Sequence, residues 1–173
     1  MGDEDEVPRE YASPVCYAHE FESPDDVPRT VASSETVEVL QALLEGERAG
    51  ARIARETRDE LDRRGGTLPA VRSLLDSLAQ DEARYCRVLI DALRRMGVTP
   101  GTAIGEFHAK CMAINDLNER LAFLNRGQRW VSRKIEEILP GLEAGELASV
   151  LVEMRETHEA NIDRVNAILP AVS

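Results

Sequence analysis

The sequence predicts an all-α chain. Apolar residues recur at helical three- and four-residue steps over four long stretches, and capping and stop residues bracket them. No segment alternates β-branched residues between turn signals, the pattern that marks strands. At 173 residues, the chain is long enough for one domain with a sizeable core.

The first helix is expected from Ser33 and Ser34, which can cap it, with Glu35 placed well in the first turn. Arg63-Arg64-Gly65-Gly66 ends it. The second starts near Thr67 and Pro69 and ends at Arg94-Arg95-Met96-Gly97, where basic residues face the negative end of the helix dipole. A short helical stretch spans about Ile104 to Ala113. The third long helix runs from about Asn115 to Leu139, broken by Pro140 and Gly141, and the fourth from about Ala144 to Leu169, stopped by Pro170. The first and third connections are short and join antiparallel neighbours. The middle one takes roughly eighteen residues, Gly97 to about Ile114, and can climb most of a long helix. The expectation is a four-helix bundle over residues 33–173, two hairpins joined by a long crossover between the second and third helices.

Residues 1–32 have a different character. They carry nine acids against Arg9 and Arg29 and half of the eight prolines, without a sustained helical period. Too little apolar surface is present to offset ordering, so an acidic, mostly disordered arm is expected. Tyr11, Tyr17 and Phe21 concentrate three of seven aromatics within it, around Cys16 and His19. This island suits docking to a protein partner or to the chain's own bundle.

Composition narrows function. Acids outnumber bases 32 to 21, for a net charge of −11, which argues against a nucleic-acid partner. No apolar run approaches the ~18 residues a membrane span needs. Of the bases only Lys110 and Lys134 are lysines, an imbalance that fits genomic bias or a halotolerant surface. Four acids follow Met1-Gly2 in place of a basic-then-apolar secretory signal, and three cysteines do not make a disulfide framework, so cytoplasm is the expected location. Phosphate-binding loops, Ser-His-Asp order, metalloprotease helix motifs and paired-Cys redox motifs are absent from the sequence.

The buried seams hold the informative feature. They read Leu40, Leu44, Glu47, Ala51 on the first helix; Leu75, Leu78, Glu82, Tyr85 on the second; Leu121, Leu124, Gln128, Val131 on the third; and Leu151, Met154, His158, Asn161 on the fourth. Each seam breaks to a polar residue about thirteen positions after its helix begins. Midpoints share one layer whichever way the helices run, so Glu47, Glu82, Gln128 and His158 should meet, with Tyr85 and Asn161 one turn along. Two carboxylates in an apolar core need a cation or protons to compensate them. One reading is a metal site on Glu47, Glu82 and His158, with Tyr85, Gln128 and Asn161 as candidate outer ligands. The other is a metal-free hydrogen-bonded layer: Arg48, Arg84 or Arg126 pairs with the acids while His158 bonds Gln128.

With bundle, crossover and polar layer in place, residues 33–169 resemble the ferritin-like superfamily. More narrowly they resemble an uncharacterised bacterial ferritin-like family, through Leu43-Leu44-Glu45-Gly46-Glu47-Arg48-Ala49-Gly50-Ala51-Arg52, Asp81-Glu82-Ala83-Arg84-Tyr85-Cys86 and Arg120-Leu121-Ala122-Phe123-Leu124-Asn125-Arg126-Gly127-Gln128. The resemblance implies di-iron ligation by two glutamates and two Glu-x-x-His pairs. Here Glu47 and Glu82 match, Tyr85 stands where a His belongs, and Gln128 replaces a Glu. His158 takes a Glu position with Asn161 at the His, or it aligns with the His and puts Arg155 at the Glu. Such a departed set suits a single non-haem divalent ion (iron, manganese or zinc) better than a di-iron ferroxidase. With iron, oxygen or peroxide chemistry and an oxidoreductase would follow.

Cys16 with His19, and His108 with Cys111, make a second candidate metal set, two thiolates and two imidazoles. The simpler reading of the latter pair is an apolar crossover face of Phe107, Cys111 and Ile114. The alternative to a metal protein is a metal-free helical scaffold acting through its arm. A homodimer is compatible with either.

Overall fold

The computed structural model describes residues 33–65 and 68–169. The arm, with its expected disorder and its Cys16–His19 pair, lies outside the described residues, as do Gly66, Thr67 and Pro170.

Among the described residues the chain is all-helical. Its helices are α1 (Ser34–Arg63), α2 (Pro69–Arg95), α3 (Gly105–Met112), α4 (Leu117–Ile138) and α5 (Glu146–Ile168), with one 3-10 turn, Leu139–Gly141. The Ser33 side chain accepts from the Thr36 amide at 3.1 Å, and Pro69 opens α2, where a missing N–H costs nothing. Gly97 ends α2 in the left-handed region at φ 74°. There Val98 N–H reaches back to the Leu93 carbonyl at 2.9 Å, a closure that side chains with a Cβ resist.

Two boundaries differ from expectation. Asp116 caps α4 by accepting from the Glu119 amide at 2.9 Å, so the helix begins two residues after Asn115. After Ile138 the chain tightens into the 3-10 turn with Pro140 inside it, and α5 starts at Glu146, because Gly145 holds an extended conformation ahead of it.

Cross-helix pairs give the directions. Arg58–Asp76 and Arg72–Asp62 run α1 against α2, and Arg155–Glu136 and Asn125–Asn166 run α4 against α5. Glu60–Arg120 sets α4 against α1, and Tyr85–Thr157 with Arg95–Glu146 sets α5 against α2. Between α2 and α4 the chain climbs the outside of α1. Gln41 brackets it, donating to the Thr99 carbonyl at 2.8 Å and accepting from the Gly101 amide at 2.7 Å. Arg48 holds the Gly101 carbonyl, and His108 meets Glu56 at 2.8 Å. From Gln41 to Glu60 that is roughly 28 Å of helix.

At the top of the climb the buried Arg120 guanidinium ties three segments, bonding the Ile114 carbonyl at 2.8 Å and Glu60 at 2.6 Å. Arg120→Met is expected to cost about 3 kcal/mol, since it strands a half-buried carboxylate and an inward carbonyl. Urea unfolding measures this, and a loss under about 1 kcal/mol would mean solvent already screens the pair.

The interior forms two apolar clusters. One gathers Ile53, Leu74, Leu75, Leu78, Leu121, Leu124 and Val165; the other Leu40, Leu44, Leu89, Leu93, Ile135, Leu151 and Met154. Between them lie four buried polar residues, one from the middle of each long helix: Glu47, Glu82, Gln128 and His158. No described helix is long and apolar enough to cross a membrane.

Candidate metal centre

Helical spacing aims these four side chains at one spot, because each continues the apolar seam of its helix. Glu47 is 0 %, Glu82 3 %, Gln128 3 % and His158 1 % exposed. One ligand atom from each of Glu47, Glu82 and His158 falls within 4.8 Å of the others, so the three form a buried group that could hold a metal ion.

His158 is oriented from within its own helix. Its Nδ1 lies 2.8 Å from the Met154 carbonyl, which can only accept, so the proton sits on Nδ1. Nε2 is left facing Glu47 Oε1 at 3.1 Å. The distance would suit an ion pair, but the alignment is not that of a hydrogen bond: both Glu47 oxygens and Nε2 lack a hydrogen-bonding donor or acceptor partner. Gln128 Nε2 donates to Glu82 Oε1, and Gln128 Oε1 has no partner. An imidazole fixed by its own backbone, beside unpaired buried oxygens, is the arrangement that metal-ligating histidines adopt.

The electrostatics match. Burial pushes the Glu47 carboxyl up to about 8, against the lowering effect of the adjacent Glu82 carboxyl, and the Asp81 charge adds to the rise. Glu82 stands well above the carboxylate range, raised by burial first and then by the Glu47 charge. Without a cation the site keeps protons at neutral pH; a divalent ion would neutralise the same two carboxylates.

The metal-free layer expected from the sequence has different partners. Arg84 pairs with Glu153 at 2.6 Å, Arg126 stacks over Phe123, and Arg48 holds the crossover, so none of the three meets Glu47 or Glu82. Each leaves its helix toward the surface while the acids point inward. His158 faces Glu47 rather than Gln128, and Arg155 lies between Glu136 and Glu159.

Tyr85 and Asn161 are buried beside the cluster with their polar groups engaged elsewhere. The Tyr85 hydroxyl meets Thr157 at 2.7 Å and donates to the Glu153 carbonyl at 3.3 Å; Asn161 donates to Asp81 and accepts from Arg164, both at 3.1 Å. His108 and Cys111 share α3 but part ways, His108 to Glu56 and Cys111 Sγ to the Arg120 carbonyl. Burial raises the Cys111 thiol to about 11 and Cys86 to about 12, so both stay protonated and are poor ligands.

Gly50 also belongs to the site, although the seam pattern did not single it out. A Cβ there would fall 2.6 Å from the Glu82 carboxylate, so the glycine makes the space that the acid fills. The available signal was a glycine in a helix interior, which costs about 1 kcal/mol against alanine and calls for a packing reason.

Comparison with known proteins gives one family match: residues 34–167 fit the model of a domain of unknown function, DUF6306. No curated protein and no solved structure matches the chain.

Proposed function

We propose that this chain, which belongs to the DUF6306 family of domains of unknown function, holds one non-haem divalent metal ion in its core, with Glu47, Glu82 and His158 as the ligands. The observation that carries the reading is the meeting of two unscreened carboxylates and an oriented imidazole where no arginine reaches. Two anionic oxygens and a neutral nitrogen fit iron, manganese or zinc. The scaffold in this reading is a ferritin-like four-helix bundle, supported by antiparallel α1–α2 and α4–α5 pairs and by the crossover along α1. The departed ligand set supports one ion rather than a pair.

In that site Glu47 and Glu82 supply the charge and His158 Nε2 the nitrogen donor. Met154 holds the imidazole through its carbonyl, and Gln128 fixes the Glu82 carboxylate through Nε2. A bound ion would supply Lewis acidity and, if it is iron, redox capacity for an oxidoreductase.

Elemental analysis of protein purified without chelators tests the reading. About one equivalent of a single transition metal is expected, lost in Glu82→Ala while helicity by circular dichroism is kept. Metal content unchanged in that variant removes Glu82 from the site; no metal after incubation with iron, manganese and zinc overturns the proposal.

A further inference from the structure

A cleft of about 480 Å³ opens between α1, α3 and α4 and reaches the far side of the same layer. Its walls include Ala42, Ala49, Phe107, Leu124, Trp130 and Val131, and Glu82 and Gln128 line it where it meets the layer. Helix glycines seat the two aromatic walls. A Cβ on Gly127 would meet the Phe107 ring at 2.6 Å, and one on Gly46 would touch the Trp130 ring at 3.4 Å.

We propose that this cleft binds a small, uncharged, mainly apolar organic molecule bearing one hydroxyl, which donates to Gln128 Oε1. Gln128 is 97 % buried by its 3 % exposure, its Nε2 is committed to Glu82, and its Oε1 has no partner. A buried acceptor left unsatisfied is costly, and a ligand hydroxyl that shifts the inner wall far enough to reach it would satisfy it. The apolar walls take the hydrocarbon body. Ions of either sign are disfavoured, because a charge buried among these apolar walls loses its hydration. The inference does not use the metal reading, because it rests on the apolar walls and the unpartnered Gln128 Oε1.

Trp130 is the only tryptophan of the chain, so its fluorescence reports on the cleft directly. The probe is cyclohexylmethanol, compared with methylcyclohexane, cyclohexanecarboxylate and cyclohexylmethylamine on full-length protein, with chelator and again with added zinc. A saturable change is expected for the alcohol in both conditions, with affinity about tenfold above each of the others. Ala42→Phe, at the half-buried wall, should abolish it, and Gln128→Leu should erase the preference for the alcohol over the hydrocarbon. No saturable change up to the solubility limit overturns the proposal, as does a charged analogue binding as tightly as the alcohol. A response that survives in folded Ala42→Phe overturns it too. The four-probe comparison on the unaltered protein decides the ligand chemistry even if a variant fails to fold, and metal uptake is measured separately.

Discussion

Glu47→Leu/Glu82→Leu is expected to make the metal-free protein more stable than the wild type and to remove every stabilising effect of added metal. Both carboxylates are buried between two apolar clusters and meet no arginine. Replacing such a pair with apolar residues of similar volume contributes roughly 1–4 kcal/mol of stability. In a chain of this size that is an increase of about 3–10 °C in Tm. The wild type should instead gain from the ion: about 2.7 kcal/mol at a hundredfold excess over Kd. Thermal melts with chelator and with added zinc or manganese therefore reverse the order of the two proteins. A double variant that melts several degrees below the wild type in chelator would show that the acids support the core through hydrogen bonds. One that still responds to metal would place the ion elsewhere.

The second large effect is on pH. Glu47 rises from an ordinary 4.5 to about 8 in the fold because burial disfavours its charge, and Glu82 moves the same way. The folded, metal-free protein therefore holds protons that the unfolded chain has released above about pH 4.5. Stability from these groups is complete below that value and is lost as pH climbs through about 8. Glu60 works in the opposite sense: hydrogen bonding to Arg120 lowers it, so its contribution is lost as pH falls. Between about pH 5.5 and 8.5 the buried pair should dominate, and the metal-free Tm should fall by several degrees. Over the same window metal affinity should rise about tenfold per pH unit for each proton displaced, and up to about a hundredfold while both carboxyls hold one. A flat melting profile in chelator would falsify the raised carboxyls, and a metal affinity independent of pH would mean that the ligands are already ionised.

Much of the local structure was legible because it is encoded locally. Capping serines, Pro69, the terminal arginines and the glycine stops set helix ends through interactions within a few residues. The seam followed from helical periodicity alone, and its polar positions Glu47, Glu82, Gln128 and His158 are buried as that periodicity requires. Asp116 was missed as a cap because several polar residues near it could have served equally well.

Side-chain partnership was not legible. A helix phase places a residue on a face but does not say which arginine bends inward, so the sequence offered Arg48, Arg84 and Arg126 as partners for the acids. In the fold all three are engaged outside the layer. The same holds for Tyr85 and Asn161: their burial followed from the period, while the direction of their polar groups depends on Thr157, Glu153, Asp81 and Arg164, on the same or neighbouring helices.

What the amino-acid order determined by itself is therefore the set of helices, their buried faces and the mid-seam polar position of each long helix, all consequences of short-range spacing. What only the tertiary structure decided is that Glu47, Glu82 and His158 converge within 4.8 Å, that Gly50 makes room for Glu82, and that a cleft reaches Gln128 from outside. These depend on how close the packed helices come and on which rotamer each long side chain adopts, and those are set by neighbours far apart along the chain.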